Sequence, residues 1–266
     1  MDISNYMKRP GEQPLDSILP DGGLAAIFRT IACVGDSLSS GEMEVLTENA
    51  GRGYYDMFEY SWGQFMARML GCKAYNFSRG GMTAEEYMTS WAENNCCWDR
   101  SKAAQAYIVA MGVNDITRTI AGTSVWGDID DVKPDWRDNG KSVTGYYAAM
   151  LQRYKEIQPD AKFFLMTIPR GEGKPDARTE LEEKQRDMLY ALADKFTNTY
   201  VLDFHKYAPV YGAEFYRNFM LNGHMNPAGY LLTAKMTASY IDYIIRNNPA
   251  DFSEIALIGT GIKNYK

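Results

Sequence analysis

Strand-like and helix-like stretches alternate five times along the chain, and that rhythm constrains its fold more than any other feature of the sequence. The apolar run Ile31 to Val34 stops at Gly-Asp-Ser, which predicts a buried strand running into a loop. Apolar side chains at helical spacing over 60–70, followed by Gly71, predict a helix with a glycine cap. Strands are expected again over KAYNF (73–77), AYIVAMG (106–112), AKFFLMTIP (161–169) and TYVLDF (199–204). Between them helices are expected from an N-cap at Thr83, over 142–157, over 177–196, and from Pro227 to about Asn247. This alternation predicts an α/β fold, a three-layer α/β/α arrangement around a five-stranded parallel sheet. Ligands bind such sheets at the carboxyl ends of the strands.

The segments outside this rhythm define the organisation. Residues 1–25 are a polar, Pro- and Gly-bearing N-terminal extension, 26–248 the main domain, and 249–266 a tail that reads as an extra strand or an oligomer contact. Residues 115–140 carry Asp, Gly, Pro and two Trp and read as an insertion over the site.

Charge narrows the partners. Against 34 acidic residues stand 28 basic ones, scattered rather than blocked, so nucleic acid and anionic membrane surfaces are poor partners. No apolar run reaches the roughly 18 to 20 residues of a membrane span, and the start lacks the apolar core of a secretory signal, so the expected compartment is the cytoplasm. Cysteines 33, 72, 96 and 97 lack zinc-site spacing and read as free thiols; no metal or other cofactor is expected. The sequon Asn76-Phe77-Ser78 reads as a chance match.

Four polar signals fall on one predicted rim. Gly35-Asp36-Ser37 follows the first strand, Asn76 to Thr83 (NFSRGGMT) the second, Gly112-Val113-Asn114-Asp115 the third, and Asn222 to Pro227 (NGHMNP) precedes the last helix. A serine needs a base to become a nucleophile, and histidine is the usual one. Of the two histidines, His224 sits in a Gly- and Asn-rich loop at a helix start and is the candidate, whereas His205 reads as structural. Backbone N–H groups at Gly80-Gly81 and the Asn114 amide are of the type that stabilises an oxyanion. There is no G-x-S-x-G elbow, no Walker A, no HExxH and no dinucleotide fingerprint.

Together the four blocks resemble the SGNH hydrolases, the GDSL esterase/lipase family, whose blocks supply Ser, Gly, Asn and His in this order. The positions are Ser37, Gly81, Asn114 and His224. The resemblance implies a flavodoxin-like fold and a serine esterase or deacylase in which Ser37 attacks the ester carbonyl. His224 would relay the proton, and the Ser37 N–H, the Gly81 N–H and the Asn114 side chain would form the oxyanion hole. The family places an Asp three residues before its histidine; here that position is Leu221. Asn222, Asp203 or a nearby backbone carbonyl are the candidates to orient the imidazole, and a Ser-His dyad steered by a carbonyl is the expectation. Trp126 and Trp136 in the insertion either stack on sugar rings or pin the loop to the body, and Arg79 either attracts an anionic group or is a surface arginine. The expected substrate is a small esterified polar molecule such as an O-acetylated carbohydrate. A lipase or thioesterase of the same family, or a catalytically silent binder of glycan or acyl ligands, is the alternative. Oligomeric state is left open.

Overall fold

In β1 (Thr30–Gly35), Ile31 and Cys33 alternate with Ala32 and Val34, and all four are fully buried. Side chains on a strand point alternately to opposite faces, so a strand buried at every position must be covered on both sides. The computed structural model, which describes residues 3–264, supplies both covers. On one face Ile31 and Cys33 join Trp62, Met66, Tyr230 and Ile241; on the other Ala32 and Val34 join Tyr147, Leu151 and Leu189. Burying large apolar side chains of this kind contributes about 1.5–3 kcal/mol each.

Along the chain β1 is followed by a single helical turn, Ser37–Ser40, and by a hairpin of β2 (Glu42–Leu46) and β3 (Arg52–Asp56). Then come α1 (Trp62–Leu70), β4 (Lys73–Ser78), a helical stretch over 84–94 with a π turn in its middle, β5 (Ala106–Ala110) and α2 (Val113–Ile120). After a loop follow α3 (Val143–Ile157), β6 (Lys162–Met166), α4 (Asp176–Lys195) and β7 (Thr199–Leu202). The chain ends with α5 (Ala213–Phe219), the small hairpin β8 (Met220–Leu221) and β9 (His224–Met225), and the long α6 (Pro227–Asn247). The two expected caps are in place, Thr83 accepting from the Glu86 N–H at 3.2 Å and Gly71 ending α1 at φ +65°, and Ser61 adds an N-cap to α1 by accepting from the Gln64 N–H at 3.1 Å.

Five strands form one parallel sheet in the order β4-β1-β5-β6-β7. The chain moves outward from β1 to β4, then crosses back to β5 and continues the other way. The loops leaving β1 and β5 therefore diverge, and this switch point is where a sheet of this type leaves a crevice for ligand. Ser37 leaves β1 and Asn114 leaves β5, so the topology places both at that crevice.

Two expectations change here. The segment expected as an insertion from residue 115 is helical at its start, because α2 already begins at Val113; the irregular part is 121–142. The tail is not a strand among the described residues. Short 3-10 turns at Pro249–Phe252 and Ile255–Leu257 seat Phe252, Ile255 and Ile258 in the core instead.

Candidate active site

The Gly-Asp-Ser turn is built by its aspartate. Asp36 caps the Ser37–Ser40 turn, its carboxylate accepting the Leu38 N–H at 3.1 Å. Ser37 is thus the first residue of a helical turn, where an N–H has no intrahelical acceptor. Gly35 is required by space, because a Cβ there would collide with the Ala110 carbonyl of β5 and with Ser39. Burial pushes the Asp36 carboxyl up to about 7, with the charges of Asp115 and Glu42 adding to it. Asp115 is pushed up to about 6, again chiefly by burial; its Oδ1 accepts the Ala84 N–H at 2.9 Å and so ties α2 to the helical stretch that follows the glycine block. These two aspartates brace loops.

In the glycine block, Gly81 turns the chain at φ +72°, a left-handed conformation that a side chain disfavours. Asn114, in the first turn of α2, donates one amide hydrogen to the Met82 carbonyl at 3.0 Å, which orients its side chain and leaves the second hydrogen for another acceptor. Arg79 is committed to Glu86 at 2.9 Å and to the Gly80 carbonyl at 3.1 Å, so it braces its own loop rather than waiting for an anion.

The histidine is held by a segment for which no role was expected. Antiparallel pairing sets Glu42 opposite Asp56, Glu44 opposite Tyr54 and Leu46 opposite Arg52, and residues opposite one another share a face. One face of the β2–β3 hairpin therefore presents Glu42, Glu44, Arg52, Tyr54 and Asp56 together, and β9 lies against it. His224 Nδ1 is 3.4 Å from Glu44 Oε2, and its Nε2 is 3.0 Å from Glu42 Oε1. Tyr54 packs edge-on against the imidazole, with ring centroids 5.9 Å apart. Glu44, only 2% exposed, also accepts the Gly223 N–H at 2.9 Å and pairs with Arg52 at 2.8 Å. Ser40 Oγ bonds Asp56 Oδ1, which ties the hairpin to the serine turn.

The expected orienters have other work. Asp203 is buried and serves Thr167 Oγ1 at 3.2 Å, the Tyr190 hydroxyl at 2.9 Å and the Lys206 N–H at 3.0 Å. Asn222 donates its side-chain amide to the Glu44 carbonyl at 2.8 Å, gripping the hairpin instead of the imidazole. Nor is a backbone carbonyl at Nδ1; a carboxylate is. Trp126 is buried at the base of its loop, where its carbonyl accepts from Thr144, and Trp136 lies half-buried under the Arg137 and Arg153 guanidiniums. Both tryptophans pin the loop to the body. His205 has its Nδ1 3.3 Å from the Ile168 carbonyl, a structural setting.

A family model described as the GDSL-like lipase/acylhydrolase family matches residues 33–232. The chain belongs to that family. It is accordingly a carboxylic ester hydrolase of SGNH type. No curated protein sequence matches it. Several solved structures share its fold at low identity. A family two carbohydrate esterase from Clostridium thermocellum, in complex with cellohexaose, superposes with a TM-score of 0.54 at 14% identity, over 84% of this chain and 65% of that one. A family two carbohydrate esterase with a carbohydrate-binding domain from Myceliophthora fergusii gives 0.53 at 16% identity, over 86% and 67%. The acetyl xylan esterase AlAXEase gives 0.51 at 16%, over 80% and 99%.

An apolar cavity of about 60 Å³ lies beside the serine, asparagine and histidine blocks of this SGNH hydrolase. Its lining includes Leu38 next to Ser37, Val113 next to Asn114, Met225 next to His224, and Trp62, Met166 and Pro169. Among the described residues no helix is long and apolar enough to cross a membrane, and no cluster of three or more His, Cys, Asp or Glu is placed to hold a metal ion.

Proposed function

We propose that the chain is a serine esterase acting on short acyl esters of small polyhydroxylated molecules, O-acetylated carbohydrates being the type. What supports this is one arrangement: Ser37 and Asn114 leave the sheet at its switch point, Asn114 bonds the Met82 carbonyl beside Gly81, and the hairpin tied to the serine turn through Ser40 and Asp56 sets a buried carboxylate at His224 Nδ1. Ser37 Oγ attacks the acyl carbon while its proton passes to His224 Nε2. The Ser37 and Gly81 N–H groups and the free Asn114 amide hydrogen receive the oxyanion. His224 then protonates the departing alcohol, and water repeats the sequence on the acyl-enzyme. Glu44, not a carbonyl, fixes the imidazole through Nδ1 and stabilises the cation that forms.

The substrate class rests on two features. A cavity of about 60 Å³ has room for some four to six water-sized groups, enough for a short acyl chain and not for a fatty one. The wall on the other side of His224 carries carboxylates and the half-exposed Tyr54, acceptors for hydroxyls beside a ring on which a sugar can stack. The carbohydrate esterases among the structural neighbours point the same way. The test is kinetic: along the p-nitrophenyl ester series, kcat/KM should be highest for the acetate and butyrate and should fall steeply to the octanoate. Ser37→Ala should abolish turnover and labelling by a fluorophosphonate; a silent binding protein would show neither in the wild type.

A further inference from the structure

His224 makes one contact for which ester hydrolysis has no use. Its Nε2, the atom that must take the Ser37 proton, lies 3.0 Å from Glu42 Oε1. The second Glu42 oxygen reaches across to the glycine loop, where a Cβ added to Gly80 would fall on Oε2. The carboxylate thus lies between the base and the loop bearing the Gly81 N–H, the space a bound ester has to enter. A carboxylate offers only lone pairs, so this contact needs a proton between the two groups, carried by Nε2 or by the carboxyl. In either case the Nε2 lone pair is closed to Ser37. The carboxylate is not comfortable there: burial, with the charges of Asp56 and Glu44 adding, pushes the Glu42 carboxyl above its ordinary range against the pull of His224. Arg52, the cation of this wall, is spent on Glu44. The backbone beneath is fixed, since the Tyr230 hydroxyl donates to the Glu42 carbonyl at 2.6 Å. Only the side chain has freedom to leave.

We propose that Glu42 is a latch released by the alcohol part of the substrate: it covers His224 Nε2 in the free enzyme and swings away when hydroxyl groups of a bound sugar ester donate to its carboxylate. Selectivity for polyhydroxylated alcohols then comes from uncovering the base as well as from binding. The idea rests on the assignment of Ser37 and His224 above. Esters whose alcohol has no hydroxyl, such as p-nitrophenyl acetate, have nothing with which to draw Glu42 away and react only through the minor uncovered state.

The experiment compares wild type with Glu42→Ala and Glu42→Gln, each checked for an unchanged thermal melt. The readouts are kcat/KM on p-nitrophenyl acetate, kcat/KM on a mono-O-acetylated monosaccharide, and the rate of Ser37 labelling by a fluorophosphonate. Glu42→Ala should label faster and hydrolyse the aryl ester faster, and should lose activity on the sugar ester, each change being about tenfold for a charge-assisted hydrogen bond. Glu42→Gln, which keeps an acceptor oxygen, should fall between the two on the sugar ester. Parallel losses on both esters, or no change on either, overturn the latch while leaving the esterase standing. A wild type that neither labels at Ser37 nor cleaves either ester overturns the underlying assignment and the latch with it.

Discussion

Glu44 and Asp203 are two buried carboxylates with different neighbours, and the proposed function gives them different work. Both are buried and both accept several hydrogen bonds, but only Glu44 faces an imidazole nitrogen. Glu44→Gln leaves the shape of the wall intact and removes the charge that stabilises the imidazolium, so kcat should fall by about 10³ to 10⁴ with the fold preserved. Asp203→Asn should lower the melting temperature, since buried hydrogen bonds are weakened at a cost of about 1–3 kcal/mol, and should leave kcat within a few-fold. Kinetics and melting curves on the two variants check this, and the reversed pattern would return the orienting role to Asp203. Asp36 supports a second prediction at this scale. Its folded value of about 7 is above that of an exposed aspartate, so the fold prefers the protonated form, and the stability this gives is lost as pH rises from near 4 through about 7. Asp36→Asn keeps an acceptor for the Leu38 N–H and carries no charge at any pH. The melting temperature of the variant relative to wild type should be level at about pH 4 and higher at about pH 8. A gap that does not change with pH would contradict the burial argument.

At the scale of elements, the site is a meeting of a parallel sheet with two small hairpins that are not part of it. The sheet presents Ser37, the glycine loop and Asn114, while β2–β3 and β8–β9 present the carboxylates and the histidine. The turn joining β8 to β9 is two residues long, Asn222 at φ +56° and Gly223, and it grips the other hairpin through both. A Cβ on Gly223 would fall on Glu44 Oε2. Gly223→Ala should therefore displace Glu44 from the imidazole, and its kcat should approach that of Glu44→Gln while the global melt moves by only about 1 kcal/mol, the scale of one hydrogen bond. Steady-state kinetics beside a denaturant titration measures both quantities, and an unchanged kcat would mean that the turn is not what holds the carboxylate in register.

Across the whole molecule, the N-terminal extension is fastened to the last helix by a buried ionic cluster. Arg246 of α6 pairs with Asp242 at 2.7 Å and with both Glu12 oxygens at 2.6 and 2.9 Å, and Leu24 and Leu19 donate backbone N–H groups to Asp242 and Ser239 of the same helix. Removing one member strands the others without compensation, so Arg246→Ala should cost about 3–5 kcal/mol in a urea titration. The active site lies at the far end of α6, beyond its first turn, and kcat at a permissive temperature should be retained; a variant of full stability would show that the strap is ornamental to folding.

The sheet and its serine, glycine, asparagine and histidine blocks are legible in the sequence because each depends on local chemistry. A run such as Ile31 to Val34 buries both of its faces wherever it sits, and a Gly-Asp-Ser turn or an Asn-capped, proline-led helix start is fixed by its own few residues. The hairpin that completes the site left only faint local marks: the alternation of Glu42 and Glu44 with Met43 and Val45 before a Gly-bearing turn, and the Asn222-Gly223 pair between two short runs. Nothing in one strand of five residues says which histidine its carboxylates will meet, 180 positions away along the chain. That pairing is decided by the crossing of β9 against β2, and with it the meeting of His224 and Glu44 in a chain that has Leu221 three residues before its histidine. The tryptophans teach the same lesson in reverse, since exposure and burial read alike in a polar loop until α3 and α4 close over Trp126. Local sequence sets what each element can bury or turn; which charges face one another is a property of packing, because Coulomb and hydrogen-bond partners are chosen by distance in space and not along the chain.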